Sequence, residues 1–525
     1  MKKIFALILV VLMLVPFVAS CTDPDDTDTN STPPASDTST DTSKDTSTDT
    51  DDGNKPVDPN KKDVAEAMKD YEGETINIMA PTWGTNADAG YPWSQVELCV
   101  TDWDKNANGF GTKINNGVME RQEYIENTYG VTLNWINCQG ASMLNKLTEA
   151  VENKGTQAEE IIHVALPHVF EAMELVNQDA LYTLGSDYIN FDADYFNQES
   201  VENYTLAGNT FFAAGDISFL DELTAFVLFY NNAIAEEFGD SFPDLYGAVL
   251  NGTWTIDMLY DLAGEISYNA DNKDGYSDDD KYGLGTTQLA KYYQYFGVYQ
   301  VGKGTDSGNN EVFVLTIEND KVQTIIDKML FATKNEDAIR TKWDGGYGAM
   351  ESAFKDNRLL FYHEVMQKVH SFDNELKVGV LPFPKLTTGQ DRYYVAPAQQ
   401  ATIVCVPRAT NDRVLSECMV EILSKTAGEF IMPTFIDTIA DSLHVDYLEN
   451  SLEVINKQIF PNLMYDLGAM YGRFGGDGDG LITESVQNAS IDGNTNNFTL
   501  ALSQGRTQAE TKLSEWSLAY NMYQD

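Results

Sequence analysis

Between residues 211 and 232 the chain carries two apolar runs, Phe211-Phe212-Ala213-Ala214 and Ala225-Phe226-Val227-Leu228-Phe229-Tyr230, with Gly215-Asp216 following the first. The second run is short, continuous and rich in β-branched and aromatic residues, and Asn231-Asn232 closes it before the alternating pattern of residues 233–238. Such a run predicts a strand buried on both faces, followed by a helix. Strand–helix series lie on either side of it. The stretch is therefore expected to cross from one α/β lobe to another, with a ligand in the cleft between them. An ordinary core strand of one large domain fits the same periodicity, and the pattern alone leaves both readings open.

On the amino side, residues 75–80 read as a short strand ending at Pro81, and residues 118–129 as a helix stopped by Gly130. Residues 131–136 and 160–166 read as further strands, and residues 142–153 and 168–177 as helices. Strands alternating with helices through short turns predict a parallel sheet. In such sheets ligands sit beyond the carboxyl ends of the strands, which here includes the loop at residues 81–91. On the carboxyl side, Gly252-Thr253-Trp254-Thr255 leads into a helix over residues 256–266. Thr255 is its expected N-cap, Asp257 complements the helix dipole, and Trp254 is expected to pack.

The amino terminus supplies an address. Lys2 and Lys3 precede an apolar run at residues 4–18, the pattern of a secretory signal over residues 1–20. Val18-Ala19-Ser20-Cys21 resembles the lipobox of bacterial lipoproteins, which implies a lipidated Cys21 at the outer face of a cell membrane; acyl chains there contribute ~0.8 kcal/mol per buried methylene. Residues 21–62 are nearly all Asp, Thr, Ser and Pro and are expected to form a disordered, self-repelling tether. The net charge of −47 argues against nucleic acid and against anionic membrane surfaces as partners. About 460 residues remain for globular structure, more than one core usually holds, so two lobes are expected. Cys99, Cys138, Cys405 and Cys418 form no CxxC pair, and the sequence leaves any disulfide pairing open. No stretch after the signal is long and apolar enough to read as a membrane span.

MERQEYIENTYGVTLNW, GDISFLDELTAFVLFYNNAIAEEFG, DLYGAVLNGTWTIDMLYDLA, ESAFKDNRLLFYHEV, VGVLPFPKL and FPNLMYDLGAMY occur in that order from about residue 74 towards the carboxyl end. This ordered set, behind a lipobox, resembles the extracellular solute-binding lipoproteins of carbohydrate ABC importers, the family of the maltose-binding protein. The resemblance implies an α/β fold of two lobes, the type II periplasmic-binding-protein fold, with crossing strands between them. It places residues 63–225 and about 391–445 in the first lobe, and residues 226–390 and about 446–525 in the second. It also implies a carbohydrate ligand, an oligosaccharide for choice, an ABC permease as partner, a monomer, membrane attachment through Cys21 alone, and no catalysis.

Sugar recognition needs flat aromatic faces and planar polar groups. Position in the chain selects Trp83 after the first strand, Asp216 before the crossing, and Trp343 and Tyr347 in the Gly-rich loop WDGGYG. It adds Glu364 after a strand at residues 359–362, where a relative's stacking tryptophan arises, and Arg473 in MYGRFGG. No cofactor is required. Asn272, Asp274 and Asp278 stand at alternate positions of an EF-hand-like loop with Gly275 sixth, which suggests structural calcium. Ala270 at the first ligand position and Lys281 at the twelfth depart from that pattern, and an acidic solvated turn fits equally.

Other classes stay in view. Paired carboxylates about 5–9 Å apart would hydrolyse glycosides, but GxSxG, HExxH and P-loop motifs are missing and the histidines show no metal spacing. The repeats and wall-anchor signal of an adhesin are missing too. A peptide-binding protein or the receptor of a sensor kinase remains the alternative to sugar import.

Overall fold

The computed structural model describes residues 61–82, 110–139, 143–154, 161–185, 187–268, 277, 279–318, 320–343, 346–373, 375–398, 401–471 and 495–523. Residues 55–525 form one compact unit that contains all of them. Cys21, Trp83, Cys99, Asn272, Asp274, Asp278 and Arg473 lie outside the described residues.

Two sheets organise the chain, one in each of two α/β lobes. The first contains β1 (Thr75–Thr82), β2 (Thr132–Gln139), β3 (Val164–Ala165) and β4 (Leu181–Tyr182). A small hairpin follows, β5 (Thr205–Leu206) with β6 (Asn209–Thr210), and then β7 (Phe212–Ala213). The chain next enters the second sheet at β8 (Phe226–Asn231) and continues through β9 (Tyr282–Gly285). A second hairpin, β10 (Val301–Thr305) with β11 (Glu311–Leu315), precedes β12 (Ile339–Arg340), β13 (Leu359–Val365) and β14 (Val378–Leu381). Finally β15 (Val404–Pro407) returns to the first sheet. The orders are β2-β1-β3-β15-β4, with β7 also on β15, and β12-β9-β13-β8-β14.

The strand alternation explains the first lobe. Ile76, Ile78 and Ala80 of β1 join Val164, Val404 and Val406 in one apolar cluster, while Met79, Ala165 and Cys405 join another. Successive side chains thus feed opposite faces, both covered, as a buried sheet requires. The second cluster also holds Val227 and Leu228 of β8, so one apolar core runs from sheet to sheet. All six residues of β8 are buried, and the helix Asn232–Glu236 follows directly. Asn231 caps that helix by accepting from the backbone N–H of Ala233 and Ile234 (3.1 and 3.3 Å).

Local departures from expectation have physical reasons. β1 continues through Pro81 to Thr82 because β3 pairs only with Ile78 and Met79, leaving the strand's last residues on a one-sided stretch where a missing N–H is tolerated. The helix expected at 118–129 begins at Phe110, running through Gly117. A Cβ at Gly117 would stand 2.6 Å from the carbonyl oxygen of Phe430, so this glycine permits close helix packing instead of ending the helix. Tyr347, expected in a loop, is the first residue of the helix Tyr347–Lys355; Gly346 at φ +68° makes the turn into it. Among the described residues no helix is long and apolar enough to cross a membrane. Cys138, Cys405 and Cys418 are buried, the latter two as free thiols.

Candidate functional site

Strand direction locates the site. In the first sheet β1, β2 and β3 are parallel, and β7 runs with them because both β3 and β7 are antiparallel to β15. Their carboxyl ends share one edge. The chain leaves this edge after Ala213 and re-enters it at Val404. In the second sheet β12, β9 and β13 are parallel, and β8 is antiparallel to both β13 and β14. The start of β8 and the end of β14 therefore lie at the carboxyl edge of that sheet. The same two connections join the two carboxyl edges, the place where open α/β sheets hold ligands.

Three segments lie side by side at the crossing. Phe226 N–H donates to Ala396 O and Ala398 N–H to Thr224 O, each at 3.0 Å. Val395 N–H donates to Asn462 O (3.0 Å) and Met464 N–H to Val395 O (2.8 Å). This short ladder satisfies backbone groups that would otherwise be stranded inside the protein.

Acidic side chains gather here. Asp216 follows β7, as the sequence places it, in a turn whose N–H donates to Tyr195 O (3.0 Å). Gly428 faces its carboxylate, and a Cβ there would come within 2.6 Å of Oδ2. Burial, with Asp221 and Asp194 adding like charge, pushes the Asp216 carboxyl up to about 7. Asp221 and Glu222, in the short helix Leu220–Leu223, are 1% and 9% exposed. Glu222 N–H donates to Asp221 Oδ1 (3.3 Å), and burial raises both carboxyls above the usual carboxylate range. Tyr465 from the last crossing segment donates its hydroxyl to Asp221. Glu222 Oε2 is buried without a hydrogen-bond partner among the described residues. The next residue, Asp466, accepts from the backbone N–H of Gln300, Val301 and Gly468 (2.7, 3.3 and 3.0 Å). Asp221, Glu222, Tyr465 and Asp466 were missed by sequence reasoning. The available signal was an Asp-Glu pair inside LDEL, between two apolar runs where charge has no reason to be buried.

From the second lobe, Glu364, one residue before the end of β13, stands opposite Val227 and is 6% exposed. Its Oε1 accepts from the adjacent Val365 N–H (2.9 Å), and burial raises its carboxyl above the usual range. Trp343 lies just beyond the carboxyl end of β12 but is only 9% exposed. Its indole N–H donates to Arg340 O (3.1 Å), and its ring meets Tyr282 edge-on at 5.8 Å. Trp343 thus packs on a strand residue, Tyr282 of β9, from within its loop. Glu364 and Trp343 share the carboxyl edge of the second sheet, and Asp216 stands at that of the first. His363 is fully buried between Thr286 Oγ1 (2.8 Å) and Tyr295 OH (2.9 Å), and burial drives it down to about 3, so it stays neutral.

Among the described residues no group of three or more His, Cys, Asp or Glu side chains is arranged to hold a metal. Near the suggested calcium loop, Lys281 pairs with Glu237 (3.4 Å), and Asp280 accepts from the N–H and hydroxyl of Ser277 (2.6 and 3.2 Å). A groove of about 680 Å³ lies elsewhere, between the helix Val169–Asn177 and the last turns of the helix Thr495–Met522. Its cations are already neutralised, Arg408 by Asp179 (3.0 Å) and Lys512 by Glu174 and Glu515 (3.3 and 3.1 Å). The strand ends converge at the crossing, not at this groove, and the crossing is the candidate site.

Two α/β lobes with facing carboxyl edges and crossing strands define a two-lobed periplasmic-binding-protein fold of type II. No family model and no curated protein matches the chain. Solved structures do resemble it. The GacH receptor of Streptomyces glaucescens, solved unliganded and with acarbose, is 14% identical over 84% of this chain and 99% of its own, with a TM-score of 0.47. The ABC substrate-binding protein Lmo0181 from Listeria monocytogenes, in complex with cycloalternan, is 12% identical over 84% of this chain and 100% of its own (TM-score 0.47). MalX from Streptococcus pneumoniae, in complex with maltopentaose, is 14% identical over 85% of this chain and 99% of its own (TM-score 0.44).

Proposed function

We propose that this chain is a lipid-anchored, extracellular solute-binding protein that captures an oligosaccharide between its lobes for an ABC importer. One observation carries the reading: the carboxyl edges of both sheets are joined across the same crossing, with Asp216 on one edge and Glu364 on the other. The ordered sequence blocks and the lipobox support the carbohydrate, the permease and the anchorage at Cys21. Carboxylates in such a cleft accept hydrogen bonds from sugar hydroxyls, and Trp343 and Tyr347 belong to the same proposal. Ligand binds one lobe first. The lobes then rotate about the crossing segments, and the closed state is favoured by the ligand's differential affinity for it. No bond is made or broken. Structural calcium at Asn272, Asp274 and Asp278 is a separable part of the proposal, removed if chelator leaves the melting temperature unchanged.

A thermal-shift screen of the secreted chain against mono- and oligosaccharides, with short peptides alongside, tests the reading. A ligand that binds only the native state raises the melting temperature by mass action. A shift with one saccharide series and no released product supports it. A shift with peptides alone overturns the carbohydrate assignment and keeps the fold.

A further inference from the structure

The hairpin β10–β11 is inserted in the sequence of the second lobe, yet its described hydrogen bonds lead to the first. Tyr299 OH donates to Glu199 (2.7 Å) and Lys303 Nζ to Glu202 O (2.6 Å), both on the helix Gln198–Tyr204. Ala207, in the β5–β6 turn, donates its N–H to Glu311 Oε2 (2.7 Å). At the hairpin root, Gln300 and Val301 donate to Asp466 on the last crossing segment (2.7 and 3.3 Å). None of these partners belongs to the second sheet.

The C-terminal helix Thr495–Met522 closes over the same junction. On the hairpin side, Ser517 Oγ accepts from Phe313 N–H (2.9 Å) and Asn521 Nδ2 donates to Glu311 O (2.9 Å). On the first-lobe side, Tyr520 OH donates to Tyr204 O (3.0 Å), and Asn209 Nδ2 donates to Tyr520 O (2.9 Å). The ring of Tyr520 meets Phe313 of the hairpin at 5.3 Å and Phe211 of the first lobe at 4.8 Å, edge-on in both cases. One buried tyrosine therefore packs hairpin and first lobe into a single apolar contact. Well-packed apolar contacts of this kind move as a unit, because interiors are close-packed and shift between discrete arrangements instead of deforming continuously.

We propose that hairpin β10–β11 and the C-terminal helix are mechanically part of the first lobe, so that the moving second lobe consists of its sheet and helices without them. This rests on the lobe rotation of the proposed function, and it reassigns residues 299–316 and 495–522, which the sequence expectation gave to the second lobe. The hinge then has six connections instead of three. Two of the extra ones lie at the hairpin root, where Thr316 N–H donates to Gln300 O (2.9 Å), and the third leads into the C-terminal helix. A tie this close to the crossing leaves the lobes free to rotate about it but resists sliding.

Spin labels placed through non-canonical amino acids at the exposed positions Lys425 (first lobe), Asn309 (hairpin tip) and Glu265 (second lobe) of the ligand-free mature chain test this by pulsed dipolar spectroscopy. A narrow Lys425–Asn309 distance distribution is expected, with Glu265 broadly distributed relative to both. The pair S517A/N521A removes the helix's two hydrogen bonds to the hairpin and should broaden the Lys425–Asn309 distribution. If Asn309 instead keeps a fixed distance from Glu265, or if all three distributions have equal width, the proposal is overturned. A narrow Lys425–Asn309 distribution that S517A/N521A leaves unchanged overturns the helix's part in it. Because no ligand is added, failure of the carbohydrate reading does not enter this result.

Discussion

The Tyr465 hydroxyl donates a hydrogen bond to Asp221 Oδ2, tying the last crossing segment to the first inside the protein. Both residues are 1% exposed, so water cannot replace the donor if it is lost. Tyr465→Phe should destabilise the fold by about 1–3 kcal/mol, since it leaves a buried acceptor unsatisfied without making a large cavity. The loss should be greater at pH 8 than at pH 5. The ionised form of Asp221 depends on the donor more than the protonated form does. Urea titrations at the two pH values measure this, and equal losses would mean that Asp221 remains protonated throughout.

Asp216 has the opposite sense from a salt-bridged surface aspartate. Burial, then the charges of Asp221 and Asp194, raise its carboxyl from 3.8 to about 7. A folded-state value above the unfolded one gives stability that is fully present below about 3.8 and lost as pH climbs through about 7. Asp216→Asn removes the titration and should flatten the fall in melting temperature between pH 5 and 8. The difference is at most ~4 kcal/mol, the value of a shift of about three pH units. Parallel curves for the two proteins would show that Asp216 ionises freely, and its place in a dry crossing would have to be given up.

How much of this was legible depends on how local the cause is. β8 and the helix after it were readable because a six-residue apolar run closed by Asn231 needs no distant partner to be recognised. The helix Ile256–Ile266 was equally plain, with Thr255 Oγ1 accepting from Met258 N–H (3.5 Å) at its start. The start of the long helix at Phe110 was not legible, because the place of Gly117 in it is explained by the backbone of Phe430, more than three hundred residues away in the chain. The acidic crossing was illegible for the same reason: Asp221 is buried by the segment carrying Tyr465. The strand ends that carry Asp216 and Glu364 could be read from periodicity. Trp343 could be placed near the site but not seen to pack on Tyr282, since β9 and β12 become neighbours only through tertiary pairing.

That packing changes what a mutation at Trp343 reports. Truncation to Ala removes a ring that is nine-tenths buried and should cost roughly 3–5 kcal/mol of stability, obscuring any effect on ligand. Trp343→Phe keeps most of the contact with Tyr282 while removing the indole N–H that reaches Arg340 O. The Phe variant should unfold within about 1.5 kcal/mol of the parent. If the ring also stacks on sugar, the variant should lose affinity in calorimetry. Unchanged affinity in a folded Trp343→Phe protein would assign the residue to packing alone.

Glu364→Gln separates a binding role from a structural one more sharply. Glu364 accepts only from the neighbouring backbone N–H of Val365 among the described hydrogen bonds, so a second carboxylate oxygen remains for a ligand. Gln preserves shape and one acceptor. Burial already penalises the charged form of Glu364, so the neutral variant should be as stable as the parent or slightly more so at neutral pH. A hydrogen bond from a sugar hydroxyl to a charged acceptor contributes about 1.5–3 kcal/mol. Its loss should weaken binding of the saccharide that gives a thermal shift by roughly 10- to 100-fold. Stability retained with affinity lost would place Glu364 on the ligand. Stability retained with affinity unchanged would remove it from the site and leave the acids of the crossing, Asp216 and Glu222, as the carboxylates to test next.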